Sequence, residues 1–445
     1  MSAAGAYVER IAARHGGRAV LAALAAVLLL GLGLRVAEAW DGRPPVYDAA
    51  AYAKIAERLA SGDGFSLGPD ATQPASNYSP GLPLFVAGVY ELTGGVHERF
   101  ARLVLALIGT LAVLFAYLIG RRLSGPHAGL FAAAVVAVYP SLLEYQGMFM
   151  GEPLAATLLT GAVLAFLWAG DSGPAGRRAG PVAGARWLVP GLLLGVLTLV
   201  RPEYLGISVL LAVVALAWDR LEWRTGFANA AILLTGVVLV VAPWTVRNAI
   251  VLDRFIPVST GGGQVLFAGT YLPSGGDPER VGEEVLERHP ELARELPADA
   301  RLEQILAALA EQRYPQLESD EALGRMGRER LWDDVSERPV EYAGFVAAKV
   351  WRAWLQGPRD VMERRGWELF HLALLALALL GLALLARRRP REALLFGVLL
   401  LAVTGIVALL VASPRRVLVT LPLIAALAGV GATAGADSLA RRWQR

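Results

Sequence analysis

"PGLPLFVAGVYELTGG", Pro80 to Gly95, decides how the rest of the chain is threaded. Its apolar part runs for about a dozen residues, whereas a helix needs about 20 to cross the hydrocarbon core of a bilayer. If it crossed, every later loop would change sides. If it does not, the arginine-rich connections gather on one side: Arg10, Arg14 and Arg18, then Arg121/Arg122, Arg177/Arg178/Arg186, Arg220/Arg224, Arg387/Arg388/Arg389/Arg391 and Arg441/Arg442/Arg445. Positive residues concentrate in cytoplasmic loops. The segment is therefore read as re-entrant or interfacial, and both termini as cytoplasmic. The connection from Leu252 to Gly366 then lies outside, and its 21 acids against 15 Lys and Arg show the bias expected there.

Outward from that stretch, apolar runs fall near residues 19–38, 100–120, 127–143, 152–170, 187–202, 204–218, 227–247, 367–386, 392–411 and 417–434, about ten spans by length. The 445 residues are 55% hydrophobic and 18% charged, with a mean hydropathy of +0.48. A water-soluble domain of this size could not keep that composition in solution. The expected fold is an all-α polytopic membrane protein with about ten transmembrane helices, interfacial helices in the first outer loop and a small helical outer cap. "ERVGEEVLERHPELARELPADARLEQILAALAEQRY", Glu279 to Tyr314, supplies the cap, with acids and bases three or four residues apart as on an exposed helix face.

The chain divides into an N-terminal transmembrane module, 1–250, with its first outer loop at 39–99; an outer loop, 251–366, Gly-rich and then helical; and C-terminal transmembrane helices, 367–445. "AEA" at Ala37 to Ala39 has the look of a signal-peptidase site, but the many spans that follow favour a retained first span. With no cysteine, and with Lys54 and Lys349 as the only lysines, disulfides and thiolate-metal sites are excluded. A net charge of +3 gives no reason to expect nucleic-acid binding.

Asp48 opens "DAAAYAKIAERLASG", in which Tyr52, Ile55, Ala56 and Leu59 share one face and Gly62 can end the helix. Such a helix lies in the membrane interface. Its acid either caps the helix, worth about 1 kcal/mol, or serves chemistry. Other charges stand at the outer ends of spans: Glu144 and Glu152 around "YQGMFM", Arg201 and Glu203 in "LVRPEYL", Arg247 in "APWTVRNAIV", and Arg415/Arg416 in "ASPRRVLVTLPL". Charges at the hydrocarbon edge are costly and usually paired or functional, with snorkelling as the ordinary alternative. Gly261, Gly262 and Gly263 form either an anion nest or a tight turn. Lys349 shares an amphipathic helix with Trp351 and Trp354. Trp40, Tyr52, Tyr78 and Tyr145 could stack on a sugar ring or simply form an aromatic belt. The first loop has no Asp-x-Asp motif, so no metal and no cofactor are assigned; a divalent cation is compatible with this reading but has no ligand motif to support it.

The order of these motifs resembles the GT-C superfamily of integral-membrane glycosyltransferases, in the broad group that includes the lipid A aminoarabinose transferase and the protein O-mannosyltransferases. The matching pieces are "YDAAAYAKIAERLASGDGF", "NYSPGLPLFVAGVYELTGG", "MGEPLAATL", "LVRPEYL", "APWTVRN" with "FIPVSTGGGQVLFAGT", and "PRRVLVTLPLIAALAG". Many relatives have Asp-Glu where this chain has Asp48-Ala49, and an Arg-Tyr pair where it has Arg416-Val417.

The resemblance implies Asp48 as the catalytic carboxylate and Glu152 as a second acid. It implies hexosyl or pentosyl transfer, with inversion, from a polyprenyl-phosphate donor to a hydroxyl of a lipid or glycan on the outer face of a bacterial plasma membrane. The fixed cations for the leaving phosphate are then Arg247 and Arg416, followed by Arg201 and Lys349. Tyr52, Tyr78, Glu203, Gly262 and Gly263 are the expected substrate-binding residues. The rival reading is a lipid or glycolipid flippase or transporter, since intramembrane charges also mark transport pathways. Transporters often carry two matching halves, and no internal repeat is found.

Overall fold

The computed structural model describes residues 3–68, 74–171, 184–218, 223–356 and 365–443. Arg177, Arg178, Arg220 and Arg445 lie outside them. The described residues are helical, with no strand beyond an isolated bridge between Ser66 and Pro74. The protein is an all-helical, multi-pass membrane protein.

Among the described residues, six helices are long and apolar enough to cross a membrane. They are α1 (Ala3–Trp40), whose apolar part begins at Gly17, α4 (Glu98–Ser124), α7 (Glu152–Gly170), α10 (Trp223–Leu252), α17 (Arg365–Arg388) and α18 (Pro390–Leu409). A seventh is counted if α5 (Pro126–Val138) and α6 (Pro140–Gly147), bent by 45°, act as one span. Three further stretches read as spans form shorter apolar helices: α8 (Leu188–Val200), α9 (Tyr204–Trp218) and the segment Leu421–Ala436. At 1.5 Å per residue, α8 is about 20 Å long and falls short of the ~30 Å core. The expected count of ten is therefore not reached by length alone. For α8 and α9 the reason lies in the sequence: α8 ends just before Arg201 and α9 begins after Glu203, so the charged turn between them cuts both short, whereas the last helix, after the short α19 (Pro414–Leu418), runs from Leu421 to Trp443.

Pro80 to Gly95 folds as α3 (Gly81–Thr93) and ends at Gly94, whose φ of 71° suits a residue without Cβ. Arg102, near the start of α4, donates from Nη2 to the carbonyl of Arg43, 2.9 Å away just beyond α1, and from Nη1 to that of Gly147. The chain thus leaves α1 and enters α4 at the same end of the bundle. At the opposite end Arg122 binds Asp171 (Nη2 to Oδ1, 2.7 Å), and the Ser124 and Thr433 hydroxyls meet at 3.1 Å.

Buried Arg35 of α1 shows how the bent pair is held. Pro140 has no N–H, so the carbonyl of Val136, four residues earlier, loses its helical donor. Arg35 donates to that carbonyl from Nη2 at 2.9 Å and to the Ala137 carbonyl from Nη1 at 3.3 Å.

A separate small core builds the cap. It joins α11 (Gly262–Thr270), α12 (Arg280–Arg288), α13 (Pro290–Glu295), α14 (Leu302–Arg313) and α15 (Ser319–Glu337) around Phe267, Val281, Val285, Leu306 and Ala322. The cap is fastened to α10 by the "PWTVRN" motif. Trp244 Nε1 donates to the Val258 carbonyl at 2.7 Å, Thr245 Oγ1 to that of Pro257 at 2.8 Å, and Asn248 Nδ2 to those of Ile256 and Val258 at 3.0 and 2.9 Å. That segment then meets the first loop, where Thr260 N–H donates to the Ser76 carbonyl at 2.7 Å.

Candidate active site

Asp48 is the first residue of α2 (Asp48–Ala60), an amphipathic helix that buries Ile55 and Ala56. The N-cap position is held by Tyr47, whose side chain makes no cap hydrogen bond. Asp48 Oδ2 accepts from Arg415 Nη1 at 3.3 Å, while the Asp48 side chain stays 42% exposed. Tyr47, just before it, has φ of 50°, a left-handed conformation that non-glycine residues rarely adopt. Phe149, shortly before Glu152, has φ of 60°. Such backbone strain gathers where the surroundings over-determine a geometry, and functional sites are a common setting.

Glu152 opens α7 and is fully buried. Its Oε1 accepts from Arg201 Nη2 and from Arg415 Nε, both at 2.5 Å. Its Oε2 is buried with no hydrogen-bond partner among the described residues. Arg415 therefore bridges two carboxylates from distant parts of the chain, and its guanidinium carbon lies 5.8 Å from the Tyr145 ring centroid. Glu152 and Asp48 hold the Arg415 guanidinium above its ordinary range despite burial.

Arg416, the next residue, points elsewhere. Its Nε lies 3.7 Å from Glu203 Oε1, and Nη1 donates to the Val411 carbonyl. Burial lowers its guanidinium, with Glu203 opposing. Lys349, on α16 (Pro339–Leu355), is buried and donates to the carbonyls of Gly269 and Ala408 at 2.6 and 2.7 Å. Burial first, and Arg416 second, push its ammonium down to about 7. Tyr52 meets Tyr78 edge-on, with ring centroids 5.7 Å apart.

The structure thus brings Asp48, Arg415, Glu152 and Arg201 into one chain of ion pairs, with Glu203, two residues after Arg201, facing Arg416, which follows Arg415. Arg247 stands apart. Its guanidinium lies over the rings of Trp244 and Phe65, 4.8 and 5.7 Å from their centroids, and no carboxylate among the described residues pairs with it. Gly263 packs so closely on Asp320 that a Cβ would lie 1.8 Å from its carbonyl oxygen, and the N–H of Gln264 donates to the Asp320 carboxylate at 3.1 Å. The anion facing this Gly-rich turn is thus part of the chain itself; Gly262 has open space beside it. No group of three or more His, Asp or Glu is placed to hold a metal among the described residues.

Arg415 is the residue that sequence reasoning passed over. The Arg-Arg doublet was visible, but neighbouring residues of a helical turn point about 100° apart, and only the fold decides which arginine meets which acid.

The family model described as dolichyl-phosphate-mannose-protein mannosyltransferase matches residues 77–246. Among solved structures, the oligosaccharyltransferase AglB from Archaeoglobus fulgidus, in complex with an inhibitory peptide and a dolichol-phosphate, aligns at a TM-score of 0.57 with 16% identity over 96% of this chain. The chain has the GT-C fold. The resemblance to that superfamily read from the sequence is borne out. The chain spans 51% of the length of AglB. A second structure of the A. fulgidus enzyme, tethered to an acceptor peptide containing the NVT sequon, aligns at 0.56 with 14% identity, covering 94% of this chain and 50% of that one. ArnT from Cupriavidus metallidurans, bound to undecaprenyl phosphate, aligns at 0.40 with 17% identity, covering 93% and 79%. No curated protein sequence matches the chain.

Proposed function

We propose that this chain is a glycosyltransferase that moves a hexosyl or pentosyl group from a polyprenyl-phosphate donor to a hydroxyl of a lipid or glycan acceptor, with inversion. The observation that carries the reading is the bridge from Asp48 through Arg415 to Glu152 in a chain with the GT-C fold. In AglB that fold accompanies a bound dolichol-phosphate, which supports a lipid-linked donor here.

Asp48 is half-exposed at the bundle end, where a hydroxyl can approach from water and a lipid-linked sugar from the bilayer. As the acceptor oxygen bonds to the anomeric carbon, its proton passes to the Asp48 carboxylate. The bond from the anomeric carbon to the phosphate oxygen breaks, and polyprenyl phosphate leaves with the electron pair. Attack from the side opposite the phosphate inverts the centre. Arg415 positions Asp48. Glu152 Oε2, a buried acceptor with no donor among the described residues, is suited to hold a substrate hydroxyl. Arg416, Arg201, Lys349 and Arg247 supply the positive charge on which the leaving phosphate can settle. With the arginine-rich connections in the cytoplasm, the site faces outward from a bacterial plasma membrane. The flippase alternative is less favoured because the charges gather at one end of the bundle rather than at the midplane.

Asp48→Asn tests the assignment. Asparagine keeps the size but cannot take a proton. Transfer of radiolabelled sugar from a polyprenyl-phosphate donor should fall by about 10² to 10⁴-fold, with melting temperature and donor binding retained. A folded Asp48→Asn protein that transfers at the normal rate would falsify the general-base role.

A further inference from the structure

A cavity of about 120 Å³ opens between the first outer loop and the cap, apart from the arginine cluster. Asn77 comes from the first loop, Gln264 from the start of α11, Glu303 from α14 and Asp320 from α15, while Ala307 and Leu323 form its small apolar part. Three of these walls are tied together. Thr260 N–H donates to the Ser76 carbonyl, Thr260 Oγ1 lies 3.2 Å from Ser76 Oγ, and Gln264 N–H donates to Asp320. Gly261 turns the chain here with φ of 91°, and a Cβ on it would stand 3.8 Å from the Asn77 carbonyl.

Two carboxylates and two amides beside an apolar patch make a set of particular chemistry. Carboxylates accept from hydroxyls, side-chain amides both donate and accept, and the apolar patch suits the C–H face of a sugar ring. No arginine or lysine lines the cavity, so a phosphate meets net negative charge there and is disfavoured. The volume, about four waters' share of liquid at ~30 Å³ each, admits part of one ring and not a chain of them.

One aromatic pair links the cavity wall to the Asp48 helix. Tyr78 follows Asn77 in sequence and meets Tyr52 edge-on, one helical turn from Asp48 on α2. Burial raises the Tyr78 hydroxyl first; the charges of Glu303 and Asp48 add to the rise and Arg301 opposes it.

We infer that the cavity bounded by Asn77, Gln264, Glu303 and Asp320 is the acceptor subsite, and that it takes a neutral sugar ring, the terminal residue of a glycan or glycolipid. The inference rests on the glycosyltransferase reading for the word acceptor. The donor phosphate belongs at the arginine cluster, whose residues do not line this cavity.

The test is binding, so that it is independent of turnover. Full-length protein in lipid nanodiscs is titrated with methyl hexosides and methyl pentosides, observed by saturation-transfer NMR, and separately with polyprenyl phosphate. Methyl glycosides stand for a soluble glycan end; a neutral glycolipid in the disc stands for a membrane-borne one. At least one should bind in the millimolar range. Ala307→Phe, which fills the cavity, and Glu303→Gln should each weaken that binding about tenfold, with polyprenyl-phosphate affinity unchanged. Sugar binding that survives Ala307→Phe in a folded protein overturns the location. If no neutral sugar binds in either form but a short hydroxylated peptide does, the ligand class is overturned. Failure of the glycosyltransferase reading is distinct from both: polyprenyl phosphate does not bind and no sugar is transferred, whatever the glycosides do.

Discussion

Helix α7 holds an acid at each end. At its start Glu152 is wholly buried and shared by Arg201 and Arg415. Just past its far end Asp171 is 53% exposed and, among the described residues, is ion-paired with Arg122. The two look alike in sequence, since each acid borders an apolar run, yet their energetics differ. An exposed pair contributes about 0 to 1 kcal/mol and is screened by salt. A buried cluster returns little net stability, because desolvating its members offsets their attraction, and well-packed apolar residues would often serve as well or better. A chain that nevertheless buries Glu152 between two arginines, and ties Asp48 to one of them, gains an arrangement rather than stability. That supports reading this end of α7 as the working end.

The contrast is sharpest in Glu152→Ala. The substitution leaves Arg201 and Arg415 without their shared anion, and the cost should be about 3 to 5 kcal/mol, the scale of a broken buried ion pair. Thermal melting in detergent should show a large drop, and Asp48 should lose the orientation that Arg415 gives it. If Glu152→Ala melts like the parent protein, the cluster is worth no more than the exposed pair and the comparison collapses.

Arg416 and Arg247 come next. Both are proposed to bind the donor phosphate, so Arg416→Ala and Arg247→Ala should each weaken polyprenyl-phosphate affinity by about 2 to 3 kcal/mol, the size of a lost charge-assisted bond. Lysine should rescue only partly, because it cannot form a bidentate contact. Melting reads stability in both variants. Arg416→Ala removes the partner of Glu203 and should destabilise the fold. Arg247 has no acidic partner among the described residues but lies over the rings of Trp244 and Phe65, so its loss should cost about 0.5 to 2 kcal/mol. Unchanged donor affinity in both variants would return these arginines to snorkelling.

Much of this was legible in the sequence. Asp48, Glu152, Arg201 and Glu203 each interrupt or border an apolar run, where a charge calls for an explanation, and the all-helical membrane fold follows from the lengths of the runs themselves. What could not be read is what depends on contact between distant parts. Arg415 is separated from Asp48 by 367 positions and from Glu152 by 263, and nothing local distinguishes it from Arg416. The "PWTVRN" motif was visible, but its work as a clamp appears only when Trp244, Thr245 and Asn248 are seen donating to the segment that folds back on them. The two short spans have a related cause. Apolar runs were measured to their ends, whereas the turn at Arg201–Glu203 takes residues away from α8 and α9 and gives them to the site.

The smallest effect belongs to the exposed end of α7. Arg122 faces Asp171 with both terminal nitrogens, Nη1 to Oδ2 and Nη2 to Oδ1, the bidentate geometry that makes an arginine–carboxylate pair strong. Asp171 is nonetheless 53% exposed, so water and salt compete for both partners. A double-mutant cycle on Arg122→Ala and Asp171→Ala should give a coupling of less than about 1 kcal/mol. It should shrink further as salt rises and the Debye length falls below ~8 Å. Sugar transfer should be unaffected, since this pair lies at the end of the bundle away from Asp48. A coupling as large as that at Glu152 would mean that good geometry outweighs burial, and the difference between the two ends of α7 would no longer mark out the site.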